Sequence, residues 1–259
     1  MSLLVKASPW GRRIVEVTPE SAGWNFVGFA AYRLAPGETL EVAVPGAETC
    51  TVVLTGRVSA RTAAQRWADI GARASVFDDA APFAVYAPAG EPVSVVAHTA
   101  AEIAVASAPG GGAHAARLIE PAAMKRSTRG QGANTRYVCD ILPQTEPAAS
   151  LLVVEVRTPS GHSSSYPPHK HDRDAPPDET LLEETYYHRL RDPGGFAFQR
   201  VYTDDRSLDE AVAVADGDVV LVPRGYHPVS ADARTDLYYL NVMAGPRREW
   251  RVSVAPGYR

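Results

Sequence analysis

Only two cysteines, Cys50 and Cys139, occur in 259 residues, too few for a disulfide framework or a Cys-x-x-Cys zinc site. Both sit among apolar or β-prone neighbours (Cys50-Thr-Val-Val-Leu and Tyr-Val-Cys139-Asp-Ile-Leu), which reads as two reduced core thiols and a cytoplasmic setting. No apolar run approaches the ~20 residues that span a bilayer. The opening Met1-Ser-Leu-Leu-Val-Lys6 is too short for a signal peptide, so no membrane partner is expected. Lys and Arg are scattered, and the net charge is −4 with a pI near 6.0. That balance excludes the basic stripe nucleic acid calls for.

Long 3.6-residue periodicities are also missing. What is present instead is a series of short β-type runs, among them Thr51-Val-Val-Leu-Thr, Val93-Ser-Val-Val-Ala, Leu151-Leu-Val-Val-Glu-Val, Asp218-Val-Val-Leu-Val and Leu237-Tyr-Tyr-Leu-Asn-Val, punctuated by 21 Pro and 20 Gly. Strands of this length and spacing predict an all-β protein of antiparallel sandwiches or barrels. Two short segments, 61–70 and 208–215, read as helical.

A Gly-rich break, Pro109-Gly-Gly-Gly112, and a basic, Gly-containing stretch at 125–136 separate two halves of similar strand content. The halves repeat one another. Arg33-Leu-Ala-Pro-Gly37 matches Arg157-Thr-Pro-Ser-Gly161, an offset of 124 positions, and Val85-Tyr-Ala-Pro88-Ala-Gly90 matches Val220-Leu-Val-Pro223-Arg-Gly225, an offset of 135. About eleven extra residues therefore lie between the landmarks of the second copy, with the polar segment 172–178 and its flanks as their expected place. The expected division is residues 1–120 and 121–259.

Chemistry-bearing residues concentrate in the second copy. His169 and His171 flank Lys170, and on an extended segment both imidazoles share one face while the lysine points away. Pro167-Pro168 before them keeps the entry extended. Alone, a His-x-His also fits a polar loop with two solvated rings. The next strand carries Glu183-Glu184-Thr-Tyr-Tyr-His188, of which only one glutamate can face inward. If Glu184 does, Tyr186 and His188 share its face; if Glu183 does, Thr185 and Tyr187 share that one. His227 follows a Gly217-x5-Pro223-x-Gly225 run that reads as a strand ending in a tight turn. The first copy lacks these residues, with Glu91-Pro92 where the second has His227. His98, His114 and His162 read as structural or exposed.

The order His-x-His, Glu, then Gly-x5-Pro-x-Gly-x-His resembles the signature motifs of the cupin superfamily, small antiparallel β-barrels that hold one divalent metal. Two departures stand out: twelve residues separate His171 from Glu184, and one residue separates Gly225 from His227. With residues 164–172, 182–190, 223–230 and 236–246, they resemble the 5-deoxy-glucuronate isomerase family of bacterial inositol catabolism, related to 4-deoxy-L-threo-5-hexosulose-uronate ketol-isomerase.

The resemblance implies a bicupin of two barrel or jelly-roll domains, the first degenerate and the second holding one divalent ion (Zn, Mn, Fe or Ni) on His169, His171, Glu184 and His227. It also implies conversion of a sugar acid, 5-deoxy-D-glucuronate, to 5-dehydro-2-deoxy-D-gluconate. Tyr186 and Tyr238 are then candidates to hydrogen-bond substrate hydroxyls. Arg224, Lys170, Arg173 and Arg200 are candidates for its carboxylate, and Arg224 adjoins the His227 turn. An Fe(II) dioxygenase and a non-catalytic sugar-binding bicupin are the competing readings. Homo-oligomerisation is left open.

Overall fold

In the computed structural model, which describes residues 2–111 and 113–258, nearly every regular segment is a strand and every pairing is antiparallel. Met1, Arg259 and Gly112, the last glycine of the break, lie outside the described residues. The first half has a six-stranded sheet in the order Arg117–Ile119, Phe83–Ala87, Ala47–Thr55, Ala101–Pro109, Gly28–Leu34, Arg13–Val17. Facing it is a four-stranded sheet of Thr39–Val42, Val93–Ala97, Val58–Arg61 and Arg66–Ile70. The second half repeats the plan in a seven-stranded sheet ordered Leu4–Val5, Val219–Val222, Glu183–Leu190, Leu237–Ala244, Leu152–Thr158, Arg136–Leu142, Lys125–Arg129. Opposite it lie Ser163–Ser164, Val229–Ala231, Ala197–Tyr202 and Asp209–Val214.

Three apolar clusters explain the sequence pattern. One fills the first barrel around Leu34, Val53 and Ile103, and one fills the second around Val154, Val220 and Met243. The third lies between the two large sheets, with Cys50, Val52 and Leu54 from one half meeting Tyr187, Leu240 and Val242 from the other. The central strands are thus covered on both faces, and all eight residues of Leu237–Ala244 are buried. This is why they read as continuous apolar runs without alternation.

The two segments expected to be helical are strands. Asp209–Val214 pairs residue for residue with Ala197–Tyr202, and Arg66–Ile70 pairs with Val58–Arg61. Both are outer strands with few buried residues, so hairpin pairing outweighs their Ala, Glu and Arg content. The one α-helix among the described residues is a single turn, Pro19–Ala22. One strand crosses the expected division at residue 120. Leu4–Val5 hydrogen-bonds into the second half's sheet, beside Val219–Val222. Asp218 secures it by accepting from Ala7 N (2.9 Å) and Lys6 Nζ (2.8 Å). Arg117–Ile119, just before the second copy, joins the first half's sheet in the mirror arrangement.

Two buried glutamates tie the halves reciprocally. Glu48 accepts from the backbone N–H groups of Ala149, Ser150 and Leu151 (2.8, 2.6 and 2.7 Å). Glu183 accepts from those of Asn25, Phe26 and Val27 (2.7, 2.7 and 3.1 Å). Glu48 and Glu183 are related by the offset of 135, whereas the loops they hold are related by 124. The extra residues of the second copy therefore lie between Gly161 and Glu183.

Both cysteines are free and buried, and burial pushes each thiol pKa up to about 12. At pH 8 neither forms the reactive thiolate. A disulfide reagent such as Ellman's should find no reactive thiol in the native protein and two after denaturation. Fast labelling of the folded chain would contradict this burial. No helix among the described residues is long and apolar enough to cross a membrane.

Candidate metal centre

Strand parity places the first ligand-type residue. Glu184, Tyr186 and His188 face the interior of the second barrel, and Glu183 and Tyr187 face the other half. The open choice between the glutamates is thereby resolved in geometry: Glu183 is the strut described above, and Glu184 approaches the imidazoles. Glu184 Oε1 accepts from Asn241 Nδ2 at 2.7 Å, which leaves Oε2 aimed at His171 Nε2 and His227 Nε2, each 3.2 Å away.

The His pair is held by the chain's C-terminal segment. His169–Lys170 pairs with Ser253–Val254, and Ala255 N donates to Pro168 O. Lys170 points away from the barrel and binds Asp172 (3.1 Å) and Asp204 (2.7 Å). Asp172 also accepts from Gly225 N at 2.9 Å, joining the His169–His171 segment to the turn that carries His227. That turn requires glycine. Gly225 has φ +90°, and a Cβ there would collide with the Tyr202 carbonyl.

One ligand atom from each of His171, Glu184 and His227 lies within 4.8 Å of the others, and all three residues are buried. His169 stands beside them, its ring centroid 4.8 Å from that of His227 and 6.4 Å from that of His171. Each imidazole donates through Nδ1 to a backbone carbonyl: His169 to Pro167 (3.1 Å), His171 to Leu182 (3.0 Å) and His227 to Gly225 (2.9 Å). A carbonyl can only accept, so the proton sits on Nδ1 and Nε2 is left for the site. His227 Nε2 is buried without a hydrogen-bond partner although Glu184 is near, because two acceptors face each other there. An orphaned buried lone pair beside a carboxylate and further imidazoles is chemically suited to hold a divalent transition metal.

The surroundings of His169 and His227 favour the neutral rings a metal needs. Burial, then the neighbouring His171, lowers the His169 pKa to about 4. Burial, then His169 and His171, holds His227 well below its ordinary value. Both rings are thus neutral at pH 7, the state a ligand needs. Burial also disfavours the His171 imidazolium, but hydrogen bonding and charge from Glu184 outweigh it and raise its pKa.

Glu184 and His169 open onto a cavity of about 60 Å³ lined also by Arg129, Arg136, Ser165, Tyr186, Tyr239, Asn241 and Trp250, with Val138, Val154 and Val156 as apolar wall. An outer recess of about 290 Å³ shares Arg129, Arg136, His169 and Trp250 with it. Tyr186 OH lies 2.8 Å from Ser165 Oγ, which is 3.4 Å from Tyr239 OH.

Several expected site residues lie elsewhere. Tyr238 faces the other half and donates to Glu155 (3.0 Å), which also pairs with Arg73; its neighbour Tyr239 takes the cavity position. Arg224 is exposed on the outside of its turn and reaches only Ser207 (3.5 Å). Lys170 is held by two aspartates, Arg173 pairs with Glu179, and Arg200 with Asp209. None of the four cations lines the cavity. The sequence reading missed Arg129, Arg136, Asn241, Tyr239, Ser165 and Trp250. The basic stretch 125–136 was the available signal for the arginines, but it read as a linker. His188, expected as a barrel residue and not a ligand, donates from Nε2 to Gln199 (2.9 Å).

Comparison with known proteins agrees with the fold. A structure of an IolB-like protein from Salmonella typhimurium LT2 superposes with a TM-score of 0.98 at 46% identity, covering 100% of this chain and 98% of that one. Bacillus subtilis oxalate decarboxylase, which has Mn(II) centres, shares the fold at a TM-score of 0.64 and 13% identity, covering 96% of this chain and 77% of that one. Proteins named 5-deoxy-glucuronate isomerase are 53% identical in Geobacillus kaustophilus (95% of this chain, 89% of that protein) and 44% identical in Bacillus subtilis strain 168 (94% and 90%). Residues 3–259 match the KduI/IolB family, and the chain belongs to that family.

Proposed function

We propose that this chain is a metal-dependent aldose–ketose isomerase that converts 5-deoxy-D-glucuronate to 5-dehydro-2-deoxy-D-gluconate in inositol breakdown. The observation that carries the chemistry is the orphaned His227 Nε2 beside His171, Glu184 and His169, of which Glu184 and His169 line the cavity. The substrate assignment rests on relatives of that name across nearly the whole chain.

His169, His171, Glu184 and His227 would hold one divalent ion, and the donor set accepts Zn, Mn, Fe or Ni. When bound, the ion supplies Lewis-acid polarisation of the aldehyde and the adjacent hydroxyl. Asn241 fixes the Glu184 carboxylate, and the three backbone carbonyls fix the imidazole tautomers. Burial, then the charge of Glu184, keeps the Tyr186 pKa well above its ordinary value. Tyr186 therefore stays protonated and serves as a hydrogen-bond donor to a substrate oxygen. The valine wall and Trp250 exclude water, which limits loss of the migrating proton to solvent.

Anaerobic incubation of the metal-loaded protein with 5-deoxy-D-glucuronate, followed by NMR in deuterated water, should show the ketose forming without oxygen. Absence of conversion with Mn, Fe, Zn and Co each supplied would overturn the assignment.

A further inference from the structure

We infer that Arg136, with Arg129 opposite it, is the carboxylate-binding subsite, and that the Trp250 indole N–H donates to the same end of the substrate. The inference rests on the sugar-acid reading above and names the residues that would read the acid. Its first support is register. Arg129 and Arg136 are directly paired across the hairpin formed by Lys125–Arg129 and Arg136–Leu142, and like charges directly opposite one another are destabilising. An anion between them converts that repulsion into two charge-assisted contacts.

Its second support is location. Both arginines line the cavity that contains Glu184 and also the outer recess, so a ligand reaching from one to the other spans guanidinium and ligand cluster at once. Arg136 has no carboxylate partner among the described residues; its hydrogen bond goes to Asn134 O (3.1 Å). Arg129 has only Asp140 at 3.6 Å. Gly130 makes the arrangement possible. It has φ +76°, and a Cβ there would collide with the Asn134 carbonyl and the Arg136 guanidinium.

The third support is independent of charge. Trp250 lines the same cavity, and its Nε1 is buried without a hydrogen-bond partner. An indole N–H can only donate, so its missing partner is an acceptor such as a carboxylate oxygen. Burial, as the largest influence, lowers the Arg136 pKa, with Arg129 adding to the lowering and Tyr239 opposing it.

The test is calorimetric titration of the metal-loaded protein with 5-deoxy-D-glucuronate and with its uncharged carboxamide. The wild type should bind the acid about 10- to 100-fold more tightly, the range for a charged hydrogen-bonded pair. Arg136→Gln should erase that preference while leaving carboxamide affinity and metal content unchanged, and Arg129→Gln should reduce it. Arg136→Lys should keep part of it, since charge remains but the forked geometry does not. Retention of the full preference in Arg136→Gln, or equal loss of both ligands in a variant with intact metal content, would overturn the inference. If the wild type prefers the acid but does not isomerise it, the isomerase reading fails and the subsite stands.

Discussion

His227→Ala is expected to strip the metal from the protein and lower turnover by at least about 10³-fold, the scale of several kcal/mol of Lewis-acid stabilisation, while leaving the barrel folded. The ring's Nε2 has no hydrogen-bond partner to lose, and its Nδ1 makes one contact, to Gly225 O. The surrounding core of Val201, Val220, Val222 and Val229 is complete without it. Metal content by inductively coupled plasma mass spectrometry should fall to background. The melting temperature should match that of chelator-treated wild type, since a ligand stabilises only the state that binds it. His171→Ala should behave in the same way. A variant that keeps full metal content would remove His227 from the ligand set and with it the basis for the proposed chemistry.

The adjacent glutamates should separate stability from metal binding. Glu183→Ala leaves three backbone N–H groups, those of Asn25, Phe26 and Val27, without their acceptor. The desolvation penalty for unsatisfied buried donors predicts a loss of about 3–5 kcal/mol. That corresponds to roughly 6–20 °C in melting temperature for a chain of this size, with metal content retained. Glu48→Ala should cost at least as much, because Glu48 also accepts from Tyr86 OH (2.6 Å) beside its three N–H groups. Glu184→Ala should do the opposite, losing metal with a melting temperature near that of the apo wild type. Thermal denaturation with parallel metal analysis reads both quantities. If Glu183→Ala melted within 2 °C of wild type, the strut between the halves would be an ornament of the packing and not a support.

How much of this was legible in the sequence depends on which physical signal each residue leaves. The central strands were visible because burial on two faces writes itself as an unbroken apolar run, as in Leu237–Ala244. The outer strands Arg66–Ile70 and Asp209–Val214 were misread because a sparsely buried strand leaves little periodicity, and their hairpin partners decide their state. The His169–His171 pair and His227 stood out through spacing and resemblance. Arg136 and Trp250 did not, because neither belongs to the segments that carry the ligand-type residues. The hairpin that starts at Lys125 carries the arginine, and the return of Ser253–Val254 beside His169–Lys170 carries the tryptophan.

Sequence alone determined the central strands, the duplicated frame with its two offsets, and the restriction of the ligand-type cluster of His169, His171, Glu184 and His227 to the second copy. It also determined that adjacent residues such as Glu183 and Glu184, or Tyr238 and Tyr239, must face opposite ways. Only the tertiary structure decided which member of each pair faces the cavity. A period of two sets the alternation along a strand but not its sign, and the sign follows from which face of the sheet the other half covers. Because the first half packs against the Glu183, Tyr187 and Tyr238 face, Glu184, Tyr186 and Tyr239 are left to the barrel interior.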